Sequence, residues 1–410
     1  MRGSAGEADN EANNEAKSGK PMALAGVRVL DLSRILAGPS ATQLLGDLGA
    51  DVIKVEKPGE GDDTRKWGPP YIDDTDGQPT AESAYYLSAN RNKRSIALDL
   101  ASDEGGEIVF QLLARADVLV ENYKVGSLAR YGLAYEQLKE RFPRLVYCSV
   151  TGFGQTGPYA QRPGYDFLIQ GMGGIMSLTG EPEGQPMKVG VGIADVMTGM
   201  YAVVGILAAL RHRDLHGEGQ HIDISLLDAQ IAWLVNGATN YLADGKLPTR
   251  LGNGHPNIVP YQVFDTADAP MILAVGNDAQ FARFCDVAGL THLATDPRYA
   301  TNPARVAHRQ ALCEQVGVAL RQRTRAKWLA LLEAAGVPCG PVNNLHDVFN
   351  DPHVQARGAK IEVPCAWSRD GHVRLLANPL KLSRTPASYR NPPPRLDEHR
   401  EAILKDWLSD

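Results

Sequence analysis

Apolar positions along this chain follow two rhythms. Short β-rich runs at 27–32, 51–55, 95–98, 117–121 and 145–150 predict strands. Between them the apolar spacing lengthens to the helical period. One such stretch runs from Pro39 to Gly49, with proline suited to the first helical position and glycine to the C-terminal cap. Others span about 103–115 and 135–141. Strand, helix and strand within about 30 residues make a parallel βαβ unit. Its repetition predicts an α/β fold built on a doubly wound, Rossmann-like parallel sheet. Residues 56–94 read as loop, closed by the basic knot Arg91, Lys93 and Arg94.

The most apolar stretch, Val196 to Leu210, is shorter than the about 20 residues a bilayer needs. It predicts a helix buried in a soluble core and ending near Arg211. Gly217 and Gly219 break the chain after it, and a helix is expected over 225–242. Two antiparallel strands, 261–265 and 271–275, and helices over 279–287, 303–321 and 324–335 predict a smaller α+β domain. Beyond about Asn344 the pattern is irregular until a terminal helix over 396–408. The expected division is a disordered tail at 1–22, a large domain at 23–215 completed by 346–410, and a small domain at 216–345.

Composition narrows the class. The chain has 410 residues, 43% hydrophobic and 22% charged, with a formal net charge of -6. Such a balance without a basic face argues against nucleic acid as a partner. The five cysteines, Cys148, Cys285, Cys313, Cys339 and Cys365, show no metal-ligand spacing and imply reduced thiols and no metal. No signal-peptide core is seen, and the acidic Glu7, Asp9, Glu11 and Glu15 argue against a mitochondrial presequence, so a cytoplasmic location is expected.

Asp195 stands out because Gly190 and Gly192 deliver it to the start of the apolar helix. Two readings stand. It is the N-cap, accepting bonds from the first free amides, or it is a carboxylate held ionised by the positive helix end and available as a nucleophile. Gly152-Phe-Gly-Gln-Thr-Gly157 matches a dinucleotide fingerprint in letters, yet Pro158 follows where a helix should open.

Several runs, weak singly, carry a resemblance by their order and spacing: Asp31-Leu-Ser-Arg-Ile-Leu-Ala-Gly-Pro39, Leu48-Gly-Ala-Asp-Val-Ile-Lys-Val-Glu56, Asn92-Lys-Arg-Ser95, Val120-Glu-Asn-Tyr123, Gly164-Tyr-Asp166, Gly217-Glu-Gly-Gln220 and Asp223-Ile-Ser-Leu-Leu-Asp228. The chain resembles the class III CoA-transferases over nearly its whole length from Val27. Arg250 to Pro256, Val259 to Gln262 and Asp296 to Asn302 resemble the branch that moves CoA from succinyl-CoA to another dicarboxylate.

The resemblance implies that Asp195 is the nucleophile, forming an aspartyl-CoA thioester, with Asp166 assisting beside Tyr165. It implies a mobile loop at Gly252, Asn253 and Gly254. It assigns Lys57, Leu98, Asn122, Tyr123 and Arg130, with Arg34, to coenzyme A, and Leu36, Trp67, Tyr85 and His255 to the acyl group. Coenzyme A is then a substrate, with no permanent cofactor. The family's interlocked homodimer is expected too, with the active site between domains of different chains. Leu36 stands where the oxalate enzymes carry glutamine, which favours a diacid with a methylene spacer. An α-methylacyl-CoA racemase would place histidine before the second acid, and here that residue is Tyr165. A non-catalytic CoA-binding protein on the same sheet is the other alternative.

Overall fold

The computed structural model describes residues 21–409, so the tail expected at 1–22 lies almost wholly outside the described residues. The described chain divides into two compact units. The first holds the residues through Gly173, Gly190–Trp233 and Gln355 onward; the second holds Gly174–Val189 and Leu234–Val354.

Six strands form the main sheet of the first unit: β1 (Arg28–Asp31), β2 (Asp51–Glu56), β3 (Lys93–Ala97), β4 (Val118–Glu121), β5 (Val146–Thr151) and β6 (His221–Ser225). All neighbours pair in parallel, in the order β3-β2-β1-β4-β5-β6. That is the doubly wound order, in which the winding reverses between β1 and β4. The strands are apolar on both faces because both are covered. Val29, Val52, Val118, Val146 and Cys148 face one layer with Leu45, Ala202 and Ile206. Leu30, Ile53, Leu119 and Tyr147 face the other with Leu112, Ile403 and Trp407.

The first layer holds α1 (Ala37–Asp47) and α4 (Ile193–His216); α2 (Asp103–Leu113) lies on the other face. Helices α3 (Asp166–Met172) and α5 (Leu226–Ala232) flank α4. A Cβ on Gly199 would stand 2.8 Å from the Ala37 carbonyl oxygen, so a side chain there would force α1 and α4 apart. Pro39 is the third helical residue of α1 rather than the first, and its missing N–H still falls among the unbonded amides of the first turn.

The chain's end completes the first unit. Trp407, in the terminal helix Arg400–Leu408, donates to the Asp51 carboxylate at 2.7 Å. The segment expected to be irregular beyond Asn344 contains two short helices and the hairpin Lys360–Pro364 with His372–Leu376, closed over Tyr86 and Leu87. Residues 56–94 likewise contain a hairpin, Tyr71–Asp73 with Pro79–Ser83, and a short helix, Ala84–Ser88.

The helix expected to be buried is longer and less covered. α4 extends to His216, where Gly217 at φ 81° ends it. By length and composition alone its 24 residues are enough to cross a membrane, and 44% of its most apolar stretch is buried. Ala194, Thr198, Ala202, Ile206 and Ala209 face the sheet, while Val196, Met200, Tyr201, Val204 and Leu207 are exposed. The helix expected over 225–242 is broken at Trp233–Leu234 into α5 and Val235–Asp244.

In the second unit, β7 (Tyr261–Asp265), β8 (Pro270–Ala274) and β9 (Cys339–Pro341) form an antiparallel sheet in the order β9-β8-β7. Phe264, Leu273, Phe281, Trp328 and Leu332 centre its core. The break at His308 divides the expected 303–321 helix into Asn302–Ala307 and Arg309–Leu320.

Candidate active site

Ligands of doubly wound sheets bind outside the carboxyl ends of the strands, where the winding reverses. Here the ends of β1 and β4 lead to Arg34 and Asn122. The Asn122 amide joins the two sides of that crevice: its Oδ1 accepts the Arg34 N–H at 3.0 Å, and its Nδ2 donates to the Arg34 carbonyl at 2.7 Å. A cavity of about 320 Å³ opens beside them. Arg34, Leu36, Asn122, Tyr123, Tyr165 and Asp195 line it together.

Asp195 is the third residue of α4, and Gly192 is the N-cap with no side-chain cap of its own. The cap arrives from α3 instead. Asp166 Oδ1 accepts the Ala194 N–H at 2.8 Å and the Asp195 N–H at 3.3 Å, and Asp166 Oδ2 accepts from Gln170 at 2.7 Å. The Asp195 carboxylate itself accepts no hydrogen bond from any described residue. The expectation that the helix end would lower its pKa is overturned. Burial, followed by the charge of Asp166, pushes the Asp195 carboxyl up to about 7.

Trp67 and Tyr85 meet edge to face, with centroids 5.3 Å apart. Burial first, then the carboxylates of Asp195, Asp166 and Asp62, push the Tyr85 phenol up to about 12. Other assigned residues stand elsewhere. Leu98 is buried in the sheet core with Ile96 and Val109, so its side chain is unavailable to a ligand. Lys57 is exposed and pairs with Glu60 at 2.6 Å. Arg130 lies over the Tyr131 ring, 4.6 Å from its centroid, outside the cavity lining.

Gly252, Asn253, Gly254 and His255 belong to the second unit. Gly252 alone of the two glycines has positive φ, 57°, and its N–H donates to the Gly180 carbonyl. The His255 N–H donates to the Tyr261 carbonyl, and its Nδ1 accepts from Asn257 at 3.1 Å.

Three polar cavity residues escaped the sequence reading: Lys124, Thr151 and Arg162. Thr151 Oγ1 is buried without a partner among the described residues. Arg162 lies over Tyr159, 4.6 Å from its centroid, and over Phe153 at 5.2 Å. The glycines of the apparent fingerprint were a usable signal for this wall. A Cβ on Gly152 would stand 2.5 Å from the Gly164 Cα, so the glycine there permits two backbone segments to touch. No helix opens at Gly157; the next one is α3 at Asp166.

Residues 24–400 match the profile of CoA-transferase family III. This chain belongs to that family. It is therefore a CoA-transferase acting on a CoA thioester, and the family implies no permanent cofactor. The succinate–glutarate CoA-transferase of Agrobacterium fabrum (strain C58) is 51% identical over 384 residues, covering 93% of this chain and 95% of that protein. The human succinyl-CoA:glutarate CoA-transferase is 43% identical over 385 residues, covering 94% and 86%. Among solved structures, a CaiB/BaiF family protein from Brucella suis superposes with a TM-score of 0.83 at 50% identity, covering 94% of this chain and 99% of that one.

Proposed function

We propose that this enzyme moves CoA from succinyl-CoA to a dicarboxylate of the glutarate class, with Asp195 as the covalent nucleophile. The observation that carries the reading is the Asp195 carboxylate. It lies on the cavity at the reversal point of the sheet, and every nearby donor is directed elsewhere. The names of the relatives support the choice of donor and acceptor.

In this reading an Asp195 oxygen attacks the thioester carbonyl. The C–S bond breaks, CoA leaves as thiolate, and a succinyl-aspartyl anhydride remains. The thiolate then attacks the aspartyl carbonyl, releasing succinate and leaving an aspartyl-CoA thioester. The acceptor carboxylate reverses both steps. Asp166 keeps the first turn of α4 in place while Asp195 changes its bonding. The start of α1 has no side-chain cap and borders the same cavity, so its backbone amides are suited to the carbonyl oxygens that gain charge. Arg34, Asn122 and Tyr123 border the path of the pantetheine arm, Lys57 and Arg130 serve the phosphates, and Leu36, Trp67, Tyr85 and Tyr165 surround the acyl chain. In this reading Gly252, Asn253 and Gly254 form a mobile loop, with His255 beside it.

The working unit in this proposal is a cytoplasmic, interlocked homodimer. The uncovered apolar face of α4, continued by Phe167 and Leu168 of α3 and Ile231 of α5, supports burial against a second copy. Light scattering at micromolar concentration tests it; a folded monomer contradicts it.

Mass spectrometry after mixing with succinyl-CoA and trapping with hydroxylamine tests the chemistry. An adduct on Asp195 is expected. An adduct on Asp166 relocates the nucleophile, and CoA binding without any adduct returns the racemase or a binding protein.

A further inference from the structure

The segment between β1 and α1 carries four residues of the cavity wall, Arg34, Ile35, Leu36 and Ala37. Ile35 adopts φ 73°. A β-branched side chain is strongly disfavoured in this left-handed region, so the surroundings must impose the conformation. The Ile35 N–H points at the Asp62 carboxylate, 3.2 Å from each oxygen. Asp62 is itself fixed. Its side chain is fully buried, Lys54 donates to it at 2.8 Å, and Thr64 donates through both its N–H and its hydroxyl. Lys54 also donates to the Ser33 carbonyl at 2.8 Å, and Ser33 donates to Asp31. The residues flanking Ile35 on the N-terminal side are thus tied down, and among the described residues Asp62 alone grips Ile35 itself.

We propose that Asp62 is a positioning residue for CoA transfer. By holding the Ile35 N–H it keeps this turn left-handed, and thereby sets where Leu36 and the uncapped first amides of α1 stand relative to Asp195. The inference rests on the reading of Asp195 as the reacting group. Asp62 touches no substrate in this account and acts through the backbone.

A second job confuses any single substitution, because Asp62 also neutralises the buried Lys54. Glycine at position 35 separates the two jobs. Glycine enters the left-handed region almost as readily as the right-handed one. In an Ile35→Gly background the turn therefore needs its anchor far less, whereas Lys54 needs its counter-ion as before. The experiment measures the kcat lost on Asp62→Ala, which unlike asparagine leaves no oxygen to accept the Ile35 N–H, in the Ile35 chain and again in the Ile35→Gly chain. The expected loss is about 30-fold or more in the first and about fivefold or less in the second, with KM for succinyl-CoA moving by less than about threefold in both. Equal losses in the two backgrounds overturn the proposal and leave Asp62 as the partner of Lys54 only. Should Asp62→Ala melt cold or fail to fold, Lys54→Met with Asp62→Ala removes both charges, and the same ratio is read on that pair. Hydroxylamine trapping on the same proteins separates the two readings. An adduct away from Asp195 refutes the nucleophile, whereas unequal losses in kcat still report an Asp62-held turn.

Discussion

Two groups of carboxylates lie within the first unit and are treated in opposite ways. Beneath the turn at β1, Asp31 accepts from Ser33, Thr42 and Lys93, and Asp62 accepts from Lys54, Ile35 and Thr64. Burial opposes ionisation of Asp62, yet Lys54 and the Thr64 bonds hold it down at about 2. At the cavity Asp195 is also removed from water, but its nearest charged neighbour is another acid, and burial with that charge lifts it to about 7. Residue type is the same; the number of donors differs. A fully bonded carboxylate has no lone pair left to attack a carbonyl carbon, and one without donors is costly to keep in a fold. The contrast separates acids that build the fold from the acid available for chemistry.

The strongest way to break that contrast is Asp195→Asn. Transfer between succinyl-CoA and glutarate is expected to fall by about 10³-fold or more, with CoA binding retained, because the substitution removes the proposed nucleophile and no structural donor loses its partner. Steady-state rates and a CoA titration check it. The opposite pattern is expected for Asp31→Asn. Lys93 is fully buried, and burial already pulls its pKa to about 8 despite Asp31. Removing the counter-charge leaves an unpaired ammonium in the core, a loss of about 3–5 kcal/mol in denaturant unfolding. If Asp31→Asn unfolded like the parent, the network would not be holding the turn.

Much of the sheet was legible because buried parallel strands are near-continuous apolar runs, and Val29–Leu30, Val52–Ile53 and Val118–Leu119 are such runs on two covered faces. The order of the motifs also brought Arg34, Leu36, Asn122, Tyr123, Tyr165 and Asp195 to one cavity, since each follows a strand end or opens a helix there. What failed was tertiary. Asp195 has the sequence of a cap, but the cap comes from Asp166, a partner 28–29 positions away, which local patterning does not reveal. Leu98 sits beside a strand end yet turns into the core. Asn122 spends its amide on the Arg34 backbone, a bond across 88 positions. The open face of α4 was missed because apolar composition reports what a residue avoids and not what covers it.

The pH dependence sharpens the contrast further. In the proposed mechanism only the ionised Asp195 attacks, so kcat/KM is expected to rise about tenfold per pH unit until about pH 7 and then level off. In Asp166→Asn the like charge is gone while an oxygen remains to accept the Ala194 N–H. The acid limb is then expected to move to lower pH. An unmoved limb would mean that burial alone sets the ionisation of Asp195.

The smallest effect is on stability, and its sign is the informative part. The folded Asp195 pKa is raised from 3.8 to about 7, so between these values the native state binds the proton that the unfolded chain has released. Its contribution is fully present below about pH 4 and is lost as pH rises through about 7. An amide at this position cannot titrate. Asp195→Asn is therefore expected to gain stability over the parent as pH rises from 4 to 8, by about 1–3 kcal/mol, judged from the span of the shift and discounted for partial exposure. Paired melts at pH 4 and pH 8 read the difference directly. An Asp195→Asn protein that lost stability at pH 8 would mean that this carboxylate has donors after all, and would move it into the same class as Asp31 and Asp62.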